Sequence, residues 1–192
     1  MPWHPRLGIL AFGALLVAGF AGSAKALPIT FDEFALGTVI TNQYASEGVL
    51  FAAVTFNAPV LSQNTAMPDA PILRPDGGPS TFAGDFDIIF TTAVTMVTFD
   101  SGFWDEIGTA QIDLYDTFNN LILSATNTVI GVETMTFSGL GNISRIYFNS
   151  VGDPAGGDID NLSFQPIPEP SGVLLFSVGM LVVGRALRQR AA

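Results

Sequence analysis

AQIDLYD, residues Ala110–Asp116, sets Ile112 and Leu114 against Asp113 and Tyr115. Successive side chains of an extended chain point to opposite faces, so this spacing makes one dry face and one wet face and predicts a half-buried β-strand. The pattern recurs on both sides. PITFDEF sets Ile29 and Phe31 against Thr30 and Asp32, ETMTFSG sets Met135 and Phe137 against Thr134 and Thr136, and SRIYFN sets Ile146 and Phe148 against Arg145 and Tyr147. GVLFAAVTF, DFDIIF and AVTMVTF are more continuously apolar and read as central strands, while FNNLILSA reads as a hairpin turning at Asn119 and Asn120. Within residues 27–164 no stretch keeps a helical period. Residues 27–164 are therefore expected to be all-β: a two-sheet antiparallel β-sandwich built from turn-punctuated half-buried strands. Residues 64–84 carry four prolines and three glycines and read as a long exposed connection.

Charge narrows the partners. All seventeen acidic residues lie between Asp32 and Glu169, an interval holding only two basic residues, Arg74 and Arg145. A field of that sign repels phosphate, so nucleic acid is not expected as a partner, whereas cations and neutral glycans are compatible with it. Cysteine is absent and His4 is the sole histidine, which removes thiolate chemistry, disulfides and, once the amino end is cleaved, any imidazole base or ligand.

Both ends read as targeting segments. Arg6 precedes the apolar run LGILAFGALLVAGFAG, and SAKA follows, with Ala24 and Ala26 as the small residues read by signal peptidase. Residues 1–26 are thus a secretory signal removed after Ala26. At the other end, residues 165–171 form a linker in which Pro168, Glu169 and Pro170 enforce an extended backbone. Residues 172–192 then supply an uncharged apolar helix and a basic tail with Arg185, Arg188 and Arg190. The helix spans roughly 25 Å at about 1.5 Å per residue, near the ~30 Å of a bilayer core. The arginines place its end on the cytoplasmic side of the inner membrane, with the domain outside.

Several residues are candidates for chemistry. Asp32 and Glu33 near the start, and Asp158 and Asp160 two apart near the end, would converge if the first and last strands are neighbours. Such an oxygen set suits a structural calcium ion; Asp158 and Asp160 equally suit turn residues that bond their own backbone. No cofactor is otherwise required. Trp104 beside Phe103 offers either an aromatic platform for a sugar ring or a core side chain. Asp105 and Glu106 in WDEI are the best available carboxylate pair for glycosidic hydrolysis, though nothing in the sequence selects them.

The ordered triplet Pro168-Glu169-Pro170, apolar helix and arginines resembles the PEP-CTERM sorting signal of exported bacterial proteins. That resemblance covers the last 25 or so residues and departs from the pattern in that Ala186, Leu187 and Gln189 interrupt the arginines. It implies recognition by exosortase, an integral membrane peptidase or transpeptidase, and delivery to the cell surface, often alongside exopolysaccharide. The segments TFDEFALGTVITNQYASEGVLF and DIDNLSF resemble the two ends of galactose-binding-like jelly-roll modules. This implies a jelly-roll-like sandwich with Asp32 and Asp160 as leading calcium ligands and Glu33 and Asp158 as substitutes. The expected protein is exported, surface-sorted and non-enzymatic, acting in adhesion or in association with exopolysaccharide in a biofilm matrix. A lectin-like carbohydrate-binding module and a carboxylate-dependent carbohydrate-active enzyme are the alternatives.

Overall fold

Two long strands carry the architecture of this computed structural model, which describes residues 28–63, 71–78 and 82–167. In chain order the strands are β1 (Val49–Ala53), β2 (Asn57–Ser62), β3 (Ile72–Asp76), β4 (Asp85–Trp104), β5 (Gln111–Tyr115), β6 (Leu121–Ala125), β7 (Gly131–Asn149) and β8 (Asp158–Pro166). All pairings between them are antiparallel. β4 and β7 pair along most of their lengths, from Asp85 opposite Asn149 to Trp104 opposite Gly131. The first half of β4 has β1 on its other side, and the second half of β7 continues to β5 and then β6. The second half of β4 instead pairs with β8, which continues to β3 and β2. Each long strand thus belongs to both layers of the sandwich.

Register shifts let the two halves face one core. In β4 the buried apolar residues are Phe86, Ile88, Phe90 and Val94, then Val97 and Phe99, and finally Trp104. The parity changes at the irregularity between Val94 and Met96, because an extra residue on one strand flips every side chain beyond it. β8 makes the same adjustment: Ser163 pairs Thr98 and Asp160 pairs Asp100, three steps against two, with Asn161 absorbing the extra residue at φ 53°. Aromatic rings fill the space between layers. Phe86 stacks on Phe148 at 5.0 Å, Trp104 lies 6.0 Å from Phe148, and Phe90 lies 5.0 Å from Phe164. Gly157 is placed where any Cβ would collide with the Trp104 indole, so β8 begins flat against that ring.

The expected all-β fold, the alternating strands and the Asn119 turn are all present. Asp116 accepts from Phe118 N and Asn120 N, and Asn119 takes φ 62°, closing the β5–β6 hairpin. Three expectations need correction. DFDIIF and AVTMVTF are one strand, as are ETMTFSG and SRIYFN, because bulges and the left-handed Gly139 and Gly141 bend the chain without ending its pairing. PITFDEF contributes only the single bridge Ile29 to Leu162 before the chain turns at Phe31, φ 61°, although Ile29 and Phe31 are both buried. The connection at 64–84 contains β3, whose Ile72 and Leu73 are fully buried. Pro75 is tolerated there because β2 is irregular across from it, between Asn57 and Val60, where Pro59 lies. β8 runs to Pro166.

Trp104 is the sole tryptophan beyond Trp3, and it is wholly buried. Trp104→Ala is expected to cost about 3–5 kcal/mol in urea unfolding, and parent emission, after removal of residues 1–26, to be blue-shifted until the unfolding transition. A loss under about 1 kcal/mol would contradict this packing.

Candidate binding face

Three neighbouring strands put polar side chains on the outer side of one layer, two of which, Asp85 and Asp113, are buried there. On β4 these are Asp85 and Asp87, on β7 Arg145, Tyr147 and Asn149, and on β5 Gln111, Asp113 and Tyr115. Register aligns them in rows: Asp85, Asn149 and Gln111; Asp87, Tyr147 and Asp113; then Ile89, Arg145 and Tyr115. Rows two residues apart are about 7 Å from each other and strands about 4.8 Å. The intervening residues Phe86, Ile88, Ile112, Leu114, Ile146 and Phe148 point into the core and are fully buried, which fixes the strands that carry the polar set.

Hydrogen bonds hold this set in place. Arg145 donates to Asp87 at 2.6 Å through Nη1 and to Asn119 at 2.8 Å through Nη2, and its guanidinium lies 3.8 Å from the Tyr115 ring centroid. Both functions of the guanidinium, planar stacking and directed donation, are in use. Tyr147 donates to Asp85 at 2.9 Å, and Gln111 donates to Asp113 at 2.8 Å. Asp85 also accepts from Thr55 N and Phe56 N, tying the β1–β2 turn to the face. At the rim Phe118 is 85% exposed at the tip of the β5–β6 hairpin, beside Asn119.

Burial pushes the Asp85 carboxyl up, but hydrogen bonds from Thr55, Tyr147 and Phe56 outweigh it and hold the group below its ordinary value of 3.8. Asp87 is pushed up by burial and by Asp85, against the pull of Arg145. Tyr147 is raised to about 12 by burial and by its bond to Asp85, so the phenol stays a neutral donor. The face therefore presents the Asp87 carboxylate, amides, one guanidinium and one phenol hydroxyl, while Asp85 and Asp113 are buried and brace it.

The sequence-predicted candidates lie elsewhere. Ala24 and Ala26, the motif Pro168, Glu169 and Pro170, and Arg185, Arg188 and Arg190 fall outside the described residues. The first and last segments do meet: Ile29 and Leu162 exchange both backbone hydrogen bonds, at 2.7 and 3.0 Å. The four carboxylates do not gather with them. Asp32 and Glu33 are exposed beyond the Phe31 turn, and Glu33 accepts from the Tyr44 hydroxyl at 2.8 Å. Asp158 and Asp160 are buried on β8 opposite Gly102 and Asp100, and Asp160 accepts from the backbone of Asn161. Among the described residues no three acidic or histidine side chains form a metal-holding group.

Trp104 lies in the core and offers no platform. Asp105 and Glu106 are exposed on a turn whose geometry is set by a third residue. Buried Asp153 accepts from their two backbone N–H groups at 2.9 and 3.2 Å and from Thr109 Oγ1 at 2.9 Å. Buried Asn127 accepts from Thr109 N and Ala110 N and donates to Glu106 O. The wet sides of AQIDLYD and SRIYFN pointed to this face, but Asp85 and Asp87 were missed inside the apolar-looking DFDIIF, where Asp-Phe-Asp-Ile is itself an alternation.

No protein family matches the chain, and no curated protein does. Among solved structures it is similar to an arabinose-bound α-L-arabinofuranosidase, with TM-score 0.44 and 13% identity over 77% of this chain and 27% of that one. It is also similar to a variant of a family 29 carbohydrate-binding module, with TM-score 0.33 and 16% identity over 61% of this chain and 89% of that one. A variant of the same module complexed with cellulohexaose gives TM-score 0.33 and 16% identity over 62% of this chain and 92% of that one. The chain spans about a quarter of the arabinofuranosidase.

Asp85 supplies a pH test. A carboxyl lowered in the fold stabilises it above its unfolded value, and that contribution is lost as pH falls through the folded value. Asp85→Asn should be less stable than the parent at pH 7, by about 1–3 kcal/mol, with the gap closing as pH drops below about 4. A gap that stays constant to pH 2 in denaturant titrations would contradict the assignment.

Proposed function

We propose that this chain is an exported, surface-sorted, non-enzymatic β-sandwich that holds extracellular polysaccharide on the outer face of β4, β7 and β5. The observation that carries the reading is the arrangement around Arg145: stacked on Tyr115, paired to Asp87, and bonded to Asn119, the residue that follows the exposed Phe118. Sugar hydroxyls both donate and accept, and fixed carboxylates, amides and guanidinium groups meet adjacent hydroxyls in pairs. An exposed aromatic ring beside them covers the apolar side of a sugar ring. Because the polar set is already ordered by its own hydrogen bonds, little side-chain freedom is lost on binding. The acidic balance of the chain favours neutral glycans over sulfated or uronic polymers.

Export and sorting complete the proposal. Signal peptidase removes residues 1–26, the C-terminal helix anchors the precursor in the inner membrane, and exosortase acts at Pro168-Glu169-Pro170 before delivery to the surface. Supporting this, Ile167 N donates to Ala93 O at 2.9 Å, so the sandwich holds the chain until one residue before the triplet.

Retention of the parent by an immobilised-glycan panel should fall at least about tenfold in Tyr115→Ala and in Phe118→Ala, about 1.4 kcal/mol, with melting temperatures preserved for Phe118→Ala. A panel with no hit would overturn the binding role. Replacing Pro168, Glu169 and Pro170 with alanine should trap an uncleaved, membrane-bound chain in fractionated cells; normal surface release from that variant would refute the sorting role.

A further inference from the structure

β5 accompanies β7 only from Arg145 to Asn149. On that side the first part of β7 instead borders a cleft of about 410 Å³, with Ala125, Thr126 and Thr128 on one wall and residues 133–137 on the other. That volume lies within the range of about 300–1,000 Å³ found for small-ligand sites. Met135 and Phe137 are almost wholly buried and, with Ala125, supply its apolar lining. The rest of the lining is four threonines and one carboxylate, Glu133. None of these residues belongs to the polar set around Arg145.

Hydroxyl protons around the cleft are already committed. Thr128 Oγ1 donates to Glu133 at 2.6 Å, and Thr134 Oγ1 donates to Asp100. Thr98 Oγ1 gives its proton to Met135 O at 2.9 Å, so in its 2.7 Å contact with Thr136 Oγ1 the donor is Thr136. A hydroxyl has one proton and two lone pairs, which leaves the oxygens of Thr128, Thr134 and Thr136 as acceptors. Glu133 adds a carboxylate oriented by Thr128 N at 2.7 Å as well as by the Thr128 hydroxyl. Both arginines of the described residues are engaged elsewhere, Arg74 with Asp76 and Arg145 with Asp87. Among the described residues, then, no cation neutralises Glu133, in a chain of net charge −10. The complement of such a wall is a positively charged group that donates and does not accept, and a primary ammonium has three donors and no acceptor.

We propose that this cleft binds an amino sugar, with the protonated amino group on Glu133 and the apolar side of the sugar ring against Ala125, Met135 and Phe137. Ring hydroxyls donate to the remaining threonine oxygens. The site is separate from the face of β4, β7 and β5 and has its own specificity: it selects sugars whose nitrogen is free over those in which it is acetylated. An acetamide nitrogen carries no charge, and its carbonyl brings one more acceptor to a wall of acceptors, so the acetylated form is disfavoured on both counts. The sugar as the body that carries the ammonium rests on the polysaccharide reading above; the ammonium contact rests on the cleft alone.

Titration calorimetry of the full chain in mild detergent, with a trimer of β-linked glucosamine, tests this. The parent should bind the trimer at least about tenfold more tightly than the N-acetylglucosamine trimer, and more tightly than putrescine. Glu133→Gln, which keeps an acceptor for Thr128, should lose at least about tenfold, as expected for one charge-assisted hydrogen bond. Glu47→Gln removes the same charge from another exposed position and should bind as the parent does. In the parent, the trimer should move the amide resonances of Thr126–Thr128 and Glu133–Phe137. Tyr115→Ala, altered on the other face, should bind the trimer like the parent, so loss of neutral-glycan retention there and loss of trimer binding in Glu133→Gln report the two sites separately. No binding of the trimer, equal affinity for its acetylated form, equal losses in Glu133→Gln and Glu47→Gln, or amide changes confined to other residues would overturn the inference. Putrescine bound as tightly as the trimer would overturn it too, by leaving the sugar no part in recognition.

Discussion

The pairing of β4 with β7 is the constraint on which the rest of the sandwich depends. Both strands are about four times the length of β1, β3, β5 and β6, and each lends one half to each layer. The cost of such strands is that a straight run would leave half of its apolar side chains outside. Bulges at Val94–Met96 in β4 and at Asn161 in β8 correct the parity. Phe86, Phe99, Trp104 and Phe148 consequently meet in one core, although they come from opposite ends of their strands.

Rigidity at the binding face follows from that core. Phe148 and Ile146 lock β7 from below, so Tyr147 and Arg145 stand at fixed positions above. Asp85 is linked to the β1–β2 turn and Asp116 orders the hairpin that presents Asn119 and Phe118. At the far end of β4, Asp153 and Asn127 clamp the 105–110 turn through backbone N–H groups. Buried polar residues here act as braces: each satisfies several donors that would otherwise be orphaned, and so each specifies a loop conformation. Among the acidic side chains Asp153 acts as a brace and Asp87 stands on the face.

Local alternation made much of the fold legible in the sequence. Where one side of a strand is wet, the period of two is visible in single residues, and Tyr115, Arg145 and Tyr147 were placed on the correct side from it, whereas Asp113 on that side is buried. The hairpin at Asn119 was legible because asparagine tolerates a left-handed backbone. Strand continuity was not, since bulges and glycines look like ends when only local sequence is read. β3 was hidden by Pro75, whose missing donor is harmless opposite an irregular partner. Trp104 was ambiguous because its neighbours Phe103 and Asp105 are both exposed while the indole turns inward, a choice made by Gly157 and Phe148, far along the chain. Asp85 and Asp87 were obscured by the bulk of Phe86, Ile88, Ile89 and Phe90 around them.

Amide hydrogen exchange of the full chain, with and without the glycan that retains it most strongly, tests the central claim most directly. Added protection concentrated in Gln111–Tyr115, in Arg145–Asn149 and in the hairpin around Phe118 is the result predicted for a sugar seated on the β4, β7 and β5 face. Protection confined to the cleft beside Glu133–Phe137, or absent from β5 and from the second half of β7, would contradict it.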